Sequence, residues 1–210
     1  MQHDWHVLLI GGSGGTGKTM VTEVLSRRLG TAAGQVDDFR LVLQQVTSAE
    51  EHPALHYFVT TSDVWQQPPE RLCEHLCEVA TEVSNALRIV ISHHAVTRHA
   101  YILEGDGLRP AIVAKQVFTD PDTRGLARAV FLFESDEGEI RRNMLSRGRG
   151  FDQRTRLEQD VQVRLNWLYG QWLRGEAEAH GLPILPSRPW ETLPDRVVMA
   201  VGSGPMTTAT

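Results

Sequence analysis

Along the chain, apolar residues first run together and then space out. Trp5 to Ile10 is a short unbroken apolar run ended by glycine, which predicts a strand buried on both faces. From Thr19 to Leu29 the period becomes helical, with Met20, Val21, Val24 and Leu25 on one face and Gly30 as the stop. A brief strand ending near Val36 then leads into a helix whose N-cap is Asp37 or Asp38. Residues 47–69 hold no period. Pro53, Pro68 and Pro69 interrupt an apolar cluster of Leu55, Tyr57, Phe58 and Trp65, so this stretch is expected to be irregular. The spacing of Leu72, Leu76, Val79, Val83, Leu87 and Val90 predicts a long helix from Glu70 to about Val96. Beyond it, strands are expected at 100–105, 128–135 and 182–185, and helices at 110–116, 137–147, 154–180 and 195–201. Strands alternating with helices predict an α/β fold: three layers, αβα, around a central parallel sheet of about five strands. The small polar residues 203–210 are expected to form a disordered tail after a domain spanning 1–202.

Between the first strand and first helix the chain places five glycines, Gly11, Gly12, Gly14, Gly15 and Gly17, within seven positions. Gly12-Ser13-Gly14-Gly15-Thr16-Gly17-Lys18-Thr19 fits G-x-x-x-x-G-K-[ST] without a mismatch. Glycines at this spacing let successive backbone N–H groups curl around phosphates, and the following helix adds its positive N-terminus. Lys18 then reaches the outer phosphates and the Thr19 hydroxyl coordinates Mg²⁺. The predicted architecture is therefore a P-loop fold, with the loop at the carboxyl end of the first strand, where ligands bind in such sheets. ATP and Mg²⁺ are the expected cofactors.

Composition narrows the field. The 210 residues carry a formal net charge of −5, which disfavours nucleic acid and membrane surfaces as partners. Only two lysines occur, Lys18 and Lys115, so the one inside the loop stands apart from ordinary surface charge. The two cysteines, Cys73 and Cys77, share one face of the long helix, where a rigid backbone disfavours a disulfide, so they read as buried small hydrophobes in a reducing, cytoplasmic setting. The N-terminus lacks the pattern of a signal peptide, and no apolar window reaches the ~20 residues of a membrane span. No N-K-x-D stretch for guanine recognition is present, nor an ABC-type signature, nor a strand ending in paired Asp-Glu.

The segments "LLIGGSGGTGKT", "QVDDFRLVLQ", "HPALHYF", "YILEGDGLRP" and "NMLSRGRGF" together resemble the nucleoside-monophosphate-kinase-like branch of P-loop kinases. Within it they are similar to 2-phosphoglycerate-kinase-like proteins. The resemblance implies phosphoryl transfer from Mg-ATP to a small hydroxylated or phosphorylated acceptor, with an acceptor region at about 38–70 and a lid at about 141–156.

On this reading Asp37 and Asp38 follow the second strand on the loop's edge of the sheet. A carboxylate there can accept a proton from an acceptor hydroxyl or orient it. Glu104, at the end of the strand "YILEG", can act through Mg²⁺ together with Thr19, and Asp106 follows closely. Arg40, His56 and Arg109 are candidate acceptor contacts. Arg147 and Arg149 are the lid arginines expected to grip phosphate, flanked by Gly148 and Gly150 as hinges. Arg188, in "SRPWET", lies where similar kinases pack against adenine, with Trp190 as a second stacking candidate. The competing class is a P-loop ATPase or nucleotide-binding regulator that has no small acceptor.

Overall fold

The computed structural model describes residues 4–148 and 150–202; Arg149 and the expected tail at 203–210 lie outside the described residues. Five strands form the sheet: β1 (Val7–Gly12), β2 (Ala32–Gln35), β3 (Tyr101–Gly105), β4 (Ala127–Phe133) and β5 (Ile184–Pro186). Their order is β2-β3-β1-β4-β5 and every pairing is parallel. The expected α/β architecture with a five-stranded parallel sheet is therefore the one observed.

Helices cover both faces because β1 is apolar at every inward and outward position. Leu8 and Ile10 pack with Val130 and Leu132 against Val21 and Leu25 of α1 (Lys18–Leu29) and against the C-terminal helix, α8 (Leu193–Gly202). Val7 and Leu9 point the other way, with Leu103 and Phe131. They meet Val79, Val83, Leu87 and Ile91 of α4 (Pro69–Thr97) and Tyr169 and Leu173 of α7 (Arg156–Ala179). This period-2 division of one strand between two cores makes the three layers. Truncating a side chain such as Leu9 to alanine would cost about 2–5 kcal/mol.

Two local expectations are corrected. The stretch expected to be irregular contains a helix, α3 (Pro53–Thr60), before a single 3-10 turn at Val64–Gln66. Pro53 sits in its first turn, where a missing N–H leaves no bond unmade, so the proline starts this helix rather than breaking it. Neither aspartate after β2 is an N-cap, because α2 (Val36–Val46) starts before them, with Gln35 as its N-cap. Asp37 and Asp38 lie instead in its first turn, where the helix dipole favours carboxylates.

Elsewhere the pattern matches closely. Helix α5 (Pro110–Ala114) continues as a wider turn over Lys115–Thr119, and α6 (Glu137–Arg147) has the expected limits. Cys73 and Cys77 are free, half-buried and packed against the main core. Among the described residues no helix is long and apolar enough to cross a membrane.

Candidate active site

The glycine-rich loop joins β1 to α1, with Gly12, Gly15 and Gly17 at φ of +146°, +84° and +79°. These values are strained for any residue with a Cβ. Side chains hold the loop's carbonyls from outside. The Ser13 carbonyl accepts from Thr16 Oγ1 (2.8 Å) and Lys18 Nζ (2.9 Å), the Gly15 carbonyl from Asn143 Nδ2 (2.8 Å), and the Thr16 carbonyl from Ser187 Oγ (3.1 Å). With the carbonyls so engaged, the amides of Gly15, Thr16 and Gly17 have no acceptor among the described residues. Unpaired amides turned to one side, at a helix N-terminus, form a cradle for phosphate oxygens.

One loop amide is occupied. Gly14 N–H donates to Asn166 Oδ1 of α7 at 2.9 Å, and a Cβ on Gly14 would overlap that oxygen. Helix α7 comes equally close at Gly170, whose added Cβ would lie 2.9 Å from Ser13 Oγ.

A cleft of about 450 Å³ opens beside the loop, lined by Gly15, Gly17, Lys18, Thr19, Arg147 and Trp190. The Trp190 ring lies so near Gly17 that a Cβ there would overlap it. Arg188 lies over this ring, 5.5 Å from its centre, and is also paired with Glu139 and Glu134.

The parallel register brings the carboxylates to the loop. Glu104 pairs with Ile10 on one side and Gln35 on the other, so the ends of β1, β2 and β3 align. Alternation then places Glu104 on the α1 face with Ile102. There its Oε1 accepts from Thr19 Oγ1 at 2.8 Å, and the residue is only 4% exposed. Two oxygens at this separation match adjacent ligands of one octahedral Mg²⁺, whose ~2.0–2.1 Å bonds set ligands roughly 2.9 Å apart. Among the described residues no cluster of three or more His, Cys, Asp or Glu side chains could hold a metal by itself. The pair therefore suits an ion that phosphates and water also ligate.

Val36 packs where a Gly105 Cβ would be, which draws the start of α2 onto the end of β3. Asp37 thereby joins Lys18, Glu104, Asp106 and Arg147 around a narrow cavity of about 30 Å³. Burial pushes the Asp106 carboxyl above its ordinary value, Asp37 adds to the rise, and Lys18 and Arg40 pull against it. Arg40 itself is paired with Asp37 at 3.2 Å. Asp38 is exposed and faces Tyr101 instead, whose hydroxyl is pushed up by its own burial and then by Asp38.

A further cavity of about 170 Å³ continues under the end of α6. It is lined by Asp106, Arg147, Phe151, Arg154, Gln162 and Asn166, with Gly14 and Gly15 at its edge. Arg147 borders all three spaces and lies 3.4 Å from Thr19 Oγ1. Gly148 and Gly150 flank the joint after it with φ of +69° and +78°. The second predicted lid arginine, Arg149, is not among the described residues.

Two predicted acceptor residues are elsewhere. Arg109 is held by Glu176 at 3.0 Å and Thr81 at 2.7 Å, with Trp172 beneath it, and borders a separate cleft with Tyr57 and His75. His56 is buried against Thr47 Oγ1 at 3.0 Å and lines neither cavity beside the loop. Two residues at the loop, Asn143 and Asn166, escaped the sequence reading. Their spacing from the loop, more than 120 residues, leaves no local signal; only a polar residue on an otherwise apolar helical face marks Asn166.

No protein-family model matches the chain. An uncharacterized protein of Dictyostelium discoideum is 28% identical over 120 residues, covering 54% of this chain and 14% of that protein. Among solved structures, a putative kinase from Chloroflexus aurantiacus superposes with a TM-score of 0.52 at 14% identity, covering 97% of this chain and 100% of that one. A shikimate kinase from Bacteroides thetaiotaomicron gives 0.52 at 14% identity, with 92% and 96% covered. A gluconokinase from Sinorhizobium meliloti 1021 gives 0.50 at 13%, with 97% and 93% covered. The chain thus has the α/β fold found in these kinases, with a P-loop motif between its first strand and first helix.

Proposed function

We propose that this protein is an ATP-dependent small-molecule kinase. The observation that carries the reading is the position of Arg147, which borders the cleft beside the P-loop and both cavities that run from it past Asp37 and Asp106. A phosphoryl group held by Lys18 and the loop amides would face an acceptor across that arginine.

In the reaction, an acceptor hydroxyl oxygen bonds to the γ-phosphorus, the bond to the β-phosphate oxygen breaks, and ADP leaves. The hydroxyl proton passes to the Asp37 carboxylate, which stands at the mouth of the narrow cavity. Lys18 and Arg147 neutralise charge on the transferring oxygens; a guanidinium does this with a planar pair of donors and remains charged. Thr19 and Glu104 would hold Mg²⁺, which supplies further charge neutralisation when bound. Gly148, Phe151 and Arg154 line the second cavity, and excluding water there protects ATP from hydrolysis. The resemblance to 2-phosphoglycerate-kinase-like sequences makes phosphoglycerates the first acceptors to try.

The test is ADP release from Mg-ATP across phosphoglycerates, sugars, nucleosides, nucleoside monophosphates and hydroxylated antibiotics, with Lys18→Ala and an acceptor-free blank alongside. One acceptor raising turnover above the blank, with loss in the variant, supports the kinase. Hydrolysis that depends on Lys18 but ignores every acceptor supports the ATPase or regulator reading instead.

A further inference from the structure

The arginines around the lid fall into two groups. Arg141 pairs with Asp160, Arg142 with Glu139, Arg156 with Asp160 and Arg164 with Glu137. Arg147 and Arg154 have no carboxylate partner among the described residues, and both line the 170 Å³ cavity. The two differ in reach. Arg147 borders the cleft beside the P-loop and both cavities, whereas Arg154 borders only the 170 Å³ cavity.

Arg154 is held ready. Its guanidinium lies over the Trp65 ring, with Cζ 4.0 Å from the ring centre. Its Nη1 is enclosed without a hydrogen-bond acceptor, and so is Gln162 Oε1 in the same cavity lining, without a donor. Burial disfavours the charged form of Arg154, opposed by Glu158, so the protein holds this cation at some expense. Asp106 is the one carboxyl in the cavity's lining. The cavity thus presents two cations against a single carboxyl.

We infer that the acceptor is a short hydroxylated anion whose carboxylate or phosphate is seated by Arg154, with Gln162 Oε1 accepting from one of its hydroxyl groups. The inference rests on the kinase reading above and sharpens it to a substrate class. Cavity size sets the scale: 170 Å³ is below the ~300–1,000 Å³ typical of sites for drug-sized ligands, so a nucleoside monophosphate is too large. Trp65 and Arg154 belong to segments about ninety residues apart, and their stacking holds in place the guanidinium that lines the cavity.

The test measures binding apart from turnover. The full chain, loaded with a non-hydrolysable ATP analogue and Mg²⁺, is titrated calorimetrically with glycerol, D-glycerate and 2-phosphoglycerate. Wild type, Arg154→Gln and Arg154→Lys are compared, with the melting temperature of each checking the fold. Expected is binding of an anionic member at least tenfold tighter than glycerol, lost in Arg154→Gln and partly restored in Arg154→Lys, with affinity for the ATP analogue changed less than twofold. Preference for D-glycerate or for 2-phosphoglycerate distinguishes a carboxylate seat from a phosphate seat. Anions that bind no better than glycerol overturn the inference, as does a loss in Arg154→Gln confined to the ATP analogue. Turnover with the same compounds reports separately on the kinase reading: binding without transfer leaves the anion seat standing and removes the activity, whereas transfer to glycerol alone does the reverse.

Discussion

The proposed nucleotide side and the proposed acceptor side of this site are built by opposite means. On the nucleotide side one contiguous segment, residues 12–19, supplies the unpaired amides, the lysine and the threonine hydroxyl, and its glycines set the backbone that aims them. The proposed acceptor side draws on Asp37 from the start of α2, Trp65 from a 3-10 turn, Asp106 after β3, Arg147 and Arg154 from the expected lid segment, and Gln162 from α7. A site made from main chain needs few particular side chains and tolerates drift around it. A site made from five separate segments depends on the packing of each, and small shifts in any of them change which acceptor fits.

The comparison can be broken at the loop first. Lys18→Ala is expected to lower acceptor-dependent turnover by about a thousandfold, as loss of a charge stabiliser in the transition state does. ADP release at saturating acceptor measures it. On the other side, Asp37→Asn is expected to lower kcat about a hundredfold while the KM for ATP stays within twofold. Asp38→Asn, on the exposed face beside Tyr101, should leave both constants near wild type. Equal losses in the two variants would mean that the carboxylates act through helix α2 rather than through the cavity.

The seam between the regions is Asn166, which occupies the Gly14 amide from α7. Phosphate must displace it, so Asn166→Ala is expected to tighten ATP and ADP binding about fivefold, the equivalent of one net hydrogen bond of ~1 kcal/mol. Weaker binding in that variant would show instead that the loop needs the helix to hold its shape.

The smallest effect concerns Asp106. Because its folded-state value is raised by burial, the folded protein binds the proton more tightly than the unfolded chain. Its contribution to stability is fully present below the unfolded carboxyl's value and is lost as pH rises through the raised folded value. Asp106→Asn should therefore raise the melting temperature by a few degrees at neutral pH and have little effect in acid. Thermal melts between those limits would follow the difference.

How much was legible before folding differs along the same line. The periods of α1 and α4 were read almost to the residue, because each buries one face and its apolar spacing records that burial, whereas β1 was placed two residues early. The start of α2 was misplaced by a few residues, since a four-residue strand with alanine and glycine leaves little pattern. Helix α3 was hidden by prolines that occupy a helix start as readily as a loop. The pairing of Arg109 with Glu176 left no mark in the sequence, because a guanidinium looks the same there whether it faces a ligand or a carboxylate.

By itself, then, the sequence determined the three-layer architecture and the phosphate cradle, because both follow from local rules: burial period in the one, glycine spacing before a helix in the other. Tertiary structure alone decided that Asn166 meets Gly14, that Arg154 stacks on Trp65, and that Asp37 rather than Asp38 enters the cavity. Each of those depends on how helices packed on opposite edges of the sheet approach one another, and that distance is set by the volume of side chains between them, which no short stretch of chain contains.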